Sequence, residues 1–179
     1  MNDKARKLAR LRARMVKALY LTEWREVWFF PRFDGVDGWQ GTQGIMFVDL
    51  NPSTGWFPTR ADQLLYRQLR LKGFRRAHLT DLIKEREQGL QVENIERDPV
   101  RMGRYRRYLA AEIKIIRPRL IVAMGRRAYR ILTTWLPSDP RVKRIRHYAA
   151  RFSTGATRRG FAADMTRIRT EYGRGPTPR

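Results

Sequence analysis

Two patterns of apolar residues alternate along the chain. Short apolar runs predict four β-strands, in the segments "GIMFVDL", "RRAHLTDLI", "RLIVAMG" and "RVKRIRH". Apolar residues spaced three to four positions apart predict α-helices, and the pair Asp98-Pro99 marks the start of one of them. These helices cover about residues 1–20, 61–73, 98–118 and 126–136, and a last one follows Thr157.

The order of these elements predicts the fold class. Strand and helix alternate four times, which favours an α/β protein, a three-layer α/β/α sandwich around a mainly parallel four-stranded sheet. We expect one domain over residues 1–172, beginning with a basic helix at about 1–20, and a disordered tail over 173–179. Ligands of such folds lie beyond the carboxyl ends of the strands, so polar residues in "VDLNPS", "HLTDLIK" and "RIRHYAAR" are the candidates for chemistry.

The charge of the chain indicates a polyanionic partner. Lys and Arg number 39 against 17 Asp and Glu, which gives a net charge of +22 spread along the whole sequence. A positive field of this size attracts nucleic acid. A membrane surface is the weaker alternative, because no segment approaches the ~20 apolar residues of a transmembrane helix and no signal peptide is visible. We therefore expect a cytoplasmic, nucleoid-associated protein without a membrane partner.

The cysteine and histidine content excludes several kinds of site. The sequence has no cysteine, which excludes disulfides, thiolate zinc sites, cysteine nucleophiles and cysteine-ligated iron–sulfur clusters. The two histidines are His78 and His147, so we do not expect a multi-histidine metal site. No metal ion and no other cofactor is predicted.

Four motifs, in order along roughly residues 40–155, carry a resemblance to a known family. They are "DLNPS", "HLTD", "RPRLIVAMG" and "HYAAR", and together they resemble the uracil-DNA glycosylase superfamily. The asparagine of "DLNPS" is similar to that of the mismatch-specific and single-strand-selective branches. Asp49 and Ser53 stand where the family has glycines, and Tyr148 stands where it has a proline after the histidine. The resemblance implies a uracil-DNA glycosylase-like fold and a monofunctional DNA glycosylase that needs no metal.

Cleavage of an N-glycosidic bond leaves positive charge on the sugar and negative charge on the departing base. An enzyme therefore needs a positioned water molecule and a group that stabilises the anion. The resemblance implies that Asn51 positions the water. Asp49 is the competing candidate for activating it, and strict strand alternation would put both side chains on one face. His147 can donate a hydrogen bond to the carbonyl oxygen of the base.

Asp81 bears on the choice of base. The resemblance implies that the residue at this position, usually asparagine, contacts the edge of uracil. An ionised carboxylate only accepts hydrogen bonds, so it suits the amino group of cytosine and repels the carbonyl oxygen of uracil. Excision of unmodified cytosine would destroy the genome of the host. We therefore predict a modified cytosine as substrate, such as a hydroxymethylated or glucosylated form. The resemblance to superfamily members that act on modified phage DNA implies a role in antiviral defence.

Three alternatives stay open. Asp81 could instead cap a helix or pair with Lys84. If its side chain points away from the base, the protein is a uracil or mismatch glycosylase of base-excision repair. The third alternative is a non-catalytic nucleic-acid-binding protein, which would use the same charge without breaking a bond.

Extrusion of a base from duplex DNA requires a ring that stacks on the base and a side chain that fills the gap. Phe57 is the predicted stacking ring, with Trp56 as the alternative. The resemblance implies a wedge loop after the last motif, with the candidates Arg151, then Tyr148 and Phe152. Phosphate contacts are predicted for arginines near strand or helix ends, namely Arg60, Arg126 and Arg127. We expect a monomer that binds double-stranded DNA and leaves the strand uncut at the abasic site.

Overall fold

The computed structural model describes residues 3–20, 27–52, 56–86, 90–149 and 155–174. Within these residues the strands are β1 (Ile45–Asp49), β2 (His78–Asp81), β3 (Leu120–Met124) and β4 (Val142–Ile145). The α-helices are α1 (Asp3–Tyr20), α2 (Arg60–Leu71), α3 (Leu90–Arg97), α4 (Pro99–Ile116), α5 (Arg126–Trp135) and α6 (Gly155–Arg174). A short 3-10 helix, Gly38–Gln40, precedes β1. None of the described helices is long and apolar enough to cross a membrane.

The four strands form one parallel sheet in the order β2-β1-β3-β4. Every residue of β1, β2 and β3 is buried, as expected for a parallel sheet with both faces covered. The α/β prediction with a four-stranded parallel sheet is therefore confirmed. Asp49, the last residue of β1, is the register partner of Asp81, the last residue of β2. The sheet thus brings two acidic residues together at its carboxyl edge.

The basic N-terminal helix α1 packs on the core through one apolar face. Leu8, Leu11 and Met15 are buried, whereas most of the basic residues between them are exposed. The ammonium group of Lys4 donates a hydrogen bond to the backbone carbonyl of Ile116, at 2.9 Å, and so ties α1 to the end of α4. The sequence predicts this helix because its apolar residues recur every three to four positions, and these residues form the face that α1 buries.

Two helices begin at the caps that their sequences encode. Thr59 and Asp62 form a reciprocal capping box at the start of α2, in which each side chain bonds the backbone N–H of the other. Asp98 accepts hydrogen bonds from the backbone N–H groups of Val100 and Arg101, and Pro99 is the first residue of α4. The predicted start of α4 is confirmed.

Two other helices differ from the prediction. The sequence pattern does not predict α3, because this helix is short and ends directly before the cap of α4. Its residues Val92 and Ile95 pack against Ile83 and Tyr105. The last helix, α6, continues to Arg174, two residues into the segment predicted to be a tail, and residues 175–179 lie outside the described part of the chain.

A buried ionic network supports the end of β2. The carboxylate of Glu112 lies 2.8 Å from the ammonium nitrogen of Lys84 and 3.3 Å from Nε2 of His78. Burial opposes ionisation of Glu112, but Lys84 and His78 outweigh burial and lower the pKa of Glu112 to about 2. Lys84 also donates to the hydroxyl of Thr80 and, at 2.6 Å, to the backbone carbonyl of Asp81. The network therefore holds the backbone at Asp81, the last residue of β2.

Candidate active site

The carboxyl ends of three strands bring the predicted catalytic residues together. Asp49 ends β1 and Asp81 ends β2, while His147 follows the end of β4 by two residues. Both aspartates are almost fully buried, with exposed fractions of 3% and 2%. The side chain of His147 is partly exposed and borders this buried pair. A cluster of titratable groups thus lies where ligands of parallel α/β folds bind.

Asp49 and His147 form a hydrogen-bonded pair. Nε2 of His147 lies 3.1 and 3.2 Å from the two carboxylate oxygens of Asp49, and the backbone N–H of Leu50 donates to the same carboxylate at 2.8 Å. Nδ1 of His147 accepts a hydrogen bond from the backbone N–H of Ala149, at 3.0 Å. Because Nδ1 uses its lone pair there, the proton of the neutral ring is on Nε2 and points at Asp49.

The Asp49 carboxylate also changes the titration of His147. Burial alone would lower the pKa of the imidazole, but the carboxylate and its hydrogen bond outweigh burial and raise this pKa. The structure therefore brings two of the predicted catalytic residues into direct contact. The sequence predicts that His147 donates a hydrogen bond to the base, and in this structure its Nε2–H group is bonded to Asp49.

Gly125 makes room for this histidine. Its φ angle is +103°, a conformation that residues with a side chain rarely adopt. A β-carbon at this position would lie 3.3 Å from the β-carbon of His147. The glycine between β3 and α5 therefore lets the imidazole pack directly against the turn.

Asp81 is buried without a hydrogen-bond partner for its carboxyl group. Neither carboxyl oxygen has a partner among the described residues, and the ammonium of Lys84 bonds the backbone carbonyl of Asp81 instead. Burial raises the pKa of Asp81 well above its ordinary value, the Asp49 carboxylate raises it further, and Lys84 only partly opposes them. The ionised, acceptor-only state assumed in the cytosine argument is therefore disfavoured. Capping of a helix by Asp81 is not observed in the described residues.

Tyr148 lies inside the site. Its exposed fraction is 7%, and its ring stacks on the imidazole of His147 with 4.8 Å between ring centres and an angle of 16° between planes. Burial and the nearby Asp49 carboxylate hold the pKa of the phenol well above its ordinary value. The ring is therefore not on the surface that would meet a DNA groove, and a wedge role requires it to leave this position.

The predicted stacking ring Phe57 belongs to an aromatic cluster. Its ring centre lies 5.7 Å from that of Trp28, 5.4 Å from that of Phe33 and 5.7 Å from that of Tyr66. Phe57 lines a small pocket with six other residues, namely Trp28, Phe30, Pro52, Asp62, Arg86 and Tyr148. Trp56, in contrast, is 96% exposed and lies outside this pocket.

Four of the residues that line this pocket are missed by the sequence argument. Asp62 carries a sequence signal, the capping box with Thr59, but that signal predicts a helix start and gives no hint of a pocket. Trp28, Phe30 and Arg86 come from segments without a regular apolar pattern. Only the three-dimensional arrangement places these side chains beside the strand ends.

Asn51 lies beyond the end of β1, in a bend. Strict strand alternation, which would put its side chain on the same face as that of Asp49, does not apply here, because the strand ends at Asp49. Its side-chain nitrogen donates to the backbone carbonyl of Pro52, at 3.0 Å. The bend after the strand thus determines where the amide points.

The predicted phosphate-binding arginines lie at helix starts. Arg60 and Arg126 are exposed first residues of α2 and α5. Arg127 forms an ion pair with Glu96, with 2.5 Å between the charged atoms. Arg126 and Arg127 line an open cleft of about 670 Å³ between α3 and α5, together with Glu93, Glu96, Arg97 and Arg130. The wedge candidates Arg151 and Phe152 lie outside the described residues.

Comparison with known proteins agrees with this geometry. The sequence model of the family described as "Uracil DNA glycosylase superfamily" matches residues 37–163, which is more than half of the chain. The matched segment contains β1 to β4 and all the strand-end residues of the site. The search of curated proteins found no match. Within the described residues, no three His, Asp or Glu side chains are grouped as metal ligands.

Proposed function

Because the chain belongs to the uracil-DNA glycosylase superfamily, we propose that it hydrolyses the N-glycosidic bond of a modified cytosine in duplex DNA and leaves an abasic site. Base excision from DNA is the class of activity that this family indicates. The observation that carries the proposal is the convergence of Asp49, Asp81 and His147 at the carboxyl edge of the sheet. The choice of a modified cytosine goes further and is argued below.

The Asp49–His147 pair is suited to assist the attack of water. As the bond between the sugar and the base lengthens, its electron pair leaves with the base and the sugar becomes cationic. The buried negative charge of Asp49 stabilises that cation, and His147 holds the carboxylate in place through Nε2–H. The water oxygen then bonds to the sugar carbon, one water proton passes to the pair, and the base takes a proton from solvent. Asn51, in the adjoining bend, orients the water.

The pocket beside Phe57 is suited to bind the extruded base. In the present conformation the pocket is too small for a pyrimidine ring, so Tyr148 or Phe57 must rotate when a base enters. The rings of Phe57, Trp28 and Tyr148 then supply apolar surface for stacking. Trp56 and the wedge candidates Arg151 and Phe152 would contact the DNA around the extruded nucleotide.

Two features are compatible with a modified cytosine. Asp81 can accept a hydrogen bond from the amino group of cytosine. The open cleft between α3 and α5 is lined by carboxylates and guanidinium groups, which can bond the hydroxyl groups of a substituent such as a sugar. Since unmodified cytosine must be spared, the substituent would mark the substrate. A modification confined to viral DNA would make the protein a defence enzyme.

The experiment that tests this proposal compares four otherwise identical duplexes. They carry uracil, cytosine, hydroxymethylcytosine or glucosylated hydroxymethylcytosine at one position, and alkali then reveals abasic sites. We expect abasic sites only with a modified cytosine. Release of uracil alone would contradict the modified-cytosine proposal and retain the family activity. Tight binding without abasic sites in any duplex would favour the non-catalytic alternative.

A further inference from the structure

Asp81 is an exception to the rule that buried polar groups are paired. Only 2% of the surface of Asp81 is exposed, yet neither carboxyl oxygen has a hydrogen-bond partner among the described residues. The nearest cation, Lys84, is engaged by the carboxylate of Glu112 and by the backbone of Asp81. A carboxyl group left without a partner at the end of a strand is available for a ligand.

The groups that face Asp81 are predominantly acidic. Asp49 on β1, Asp62 at the start of α2 and Glu112 on α4 all disfavour a negative charge at Asp81, and Lys84 alone favours it. Tyr148, after β4, adds a neutral phenol to the same surroundings. His147 directs its Nε2–H at Asp49. Burial and the three carboxylates together raise the pKa of Asp81.

We propose that Asp81 meets the target base as a neutral carboxylic acid and recognises the base edge through an O–H donor and a C=O acceptor that lie side by side. This inference rests on the proposed function, because it assigns the residue that contacts the base in the same site. A neutral carboxylic acid offers the same pair of groups as the amide of asparagine, one donor and one acceptor. An ionised carboxylate offers acceptors only.

The neutral acid is complementary to both pyrimidines. With a cytosine-type base, the O–H group donates to N3 and the C=O group accepts from the exocyclic amino group. With uracil, the C=O group accepts from N3–H and the O–H group donates to O4. The proton can be on either carboxyl oxygen, so Asp81 accepts either edge. Selection of a modified base must then depend on other contacts, such as the cleft between α3 and α5.

Ionisation of Asp81 would remove the donor and place a negative charge against N3 of cytosine or O4 of uracil. Base release should therefore fall as the pH rises through the pKa of Asp81 in the folded protein. Asp81→Asn keeps one donor and one acceptor at every pH, whereas Asp81→Leu has neither. Asp49 and His147 are present in all three proteins, so their contribution to the rate is common to them.

The first experiment measures single-turnover base release from the uracil duplex and the glucosylated hydroxymethylcytosine duplex between about pH 6 and pH 9. For the duplex that the wild type cleaves, we expect wild type and Asp81→Asn to release the base at similar rates at about pH 6, and the wild-type rate to fall below that of Asp81→Asn once the pH exceeds the pKa of Asp81 in the folded protein. Asp81→Leu should be inactive throughout. A wild-type rate about tenfold or more below that of Asp81→Asn already at about pH 6 would show that Asp81 is ionised there, and it would overturn the inference.

The second experiment needs no DNA. Infrared difference spectra between the wild type and Asp81→Asn report whether the missing group is a protonated carboxyl or a carboxylate. A protonated carboxyl at neutral pH is the expected result, and carboxylate bands there would overturn the inference even if bases are released. A protonated carboxyl without base release from any duplex would instead overturn the proposed function, and with it the contact of Asp81 with a base.

Discussion

Asp49 is held by two hydrogen bonds. The backbone N–H of Leu50 and Nε2 of His147 donate to its carboxylate. A carboxylate fixed in this way needs no reorganisation when positive charge develops on the sugar. Its charge, rather than its shape, is therefore the property that base excision should require.

Substitution of Asp49 by asparagine tests whether base excision requires the negative charge of this side chain. The amide keeps the shape of the side chain and removes the negative charge, so base release should fall by about 10²–10⁴-fold. Affinity for the same duplex should change by less than about threefold, because phosphate contacts dominate binding. Single-turnover rates and binding titrations measure the two quantities. Asp34→Asn, at an exposed aspartate paired with Arg70, is the matched control and should retain full activity.

Asp81 predicts a pH dependence of stability. Below the ordinary pKa of an aspartate, both folded and unfolded chains hold the proton and folding carries no penalty. Above it, the folded chain keeps the proton that the unfolded chain has lost, so the free energy of unfolding decreases until the pH exceeds the raised pKa. Asp81→Asn removes this penalty.

We therefore expect Asp81→Asn to be more stable than the wild type at neutral pH, by roughly 1–3 kcal/mol, because the amide does not have to take up a proton when the chain folds. The difference should disappear near about pH 4, where the carboxyl is protonated in both states. Urea unfolding at the two pH values measures it. A less stable Asp81→Asn at neutral pH would show that the carboxyl has a stabilising partner.

The sequence predicts which residues form the site more readily than it predicts their ionisation and their hydrogen bonds. Asp49, Asp81 and His147 follow from their places at strand ends, because a parallel sheet brings such ends together. The ionisation of Asp81 could not be predicted, since it depends on burial and on carboxylates from β1, α2 and α4. The bond between His147 and Asp49 is likewise a contact between residues far apart in sequence.

At the scale of elements, the strands and most helices follow from the apolar pattern. Continuous apolar runs became the buried strands, and Asp98-Pro99 began α4 as its capping chemistry requires. The pattern failed where an element was short, as in α3, and where a strand ended earlier than alternation suggested, as before Asn51. The second failure concerns a boundary, which local sequence specifies weakly.

Gly125 joins β3 to α5 and adjoins His147, so a substitution there tests whether this connection positions the imidazole. Gly125→Ala puts a side chain at φ +103° and against the imidazole, so we expect a loss of about 1–3 kcal/mol of stability and slower base release. Thermal unfolding and single-turnover rates measure these effects. The control is Gly103→Ala in the second turn of α4, where a β-carbon meets no atom within 4 Å. This control should gain about 0.5–1 kcal/mol with unchanged activity. Equal effects of the two substitutions would contradict the role of Gly125.

At the scale of the whole molecule, the net charge of +22 should dominate DNA affinity. Each neutralised phosphate releases a counterion, so affinity for an unmodified duplex should fall by about 10³-fold or more between about 50 and 200 mM salt. Fluorescence anisotropy at several salt concentrations measures this dependence. A nearly constant affinity would contradict an interface built on phosphate contacts. The sequence alone predicts this property, since charge does not depend on the fold.

The central claim is that the protein cleaves the bond between a base and its sugar. The most direct measurement is the intact mass of the target strand, before any alkali treatment, in duplexes that carry uracil or glucosylated hydroxymethylcytosine. With the glucosylated duplex we predict a full-length strand in which one base has been replaced by a hydroxyl group, with the free base in solution, and far less of this product in the same time with Asp49→Asn. A strand of unchanged mass, measured with the DNA fully bound by the wild-type protein, would contradict the claim.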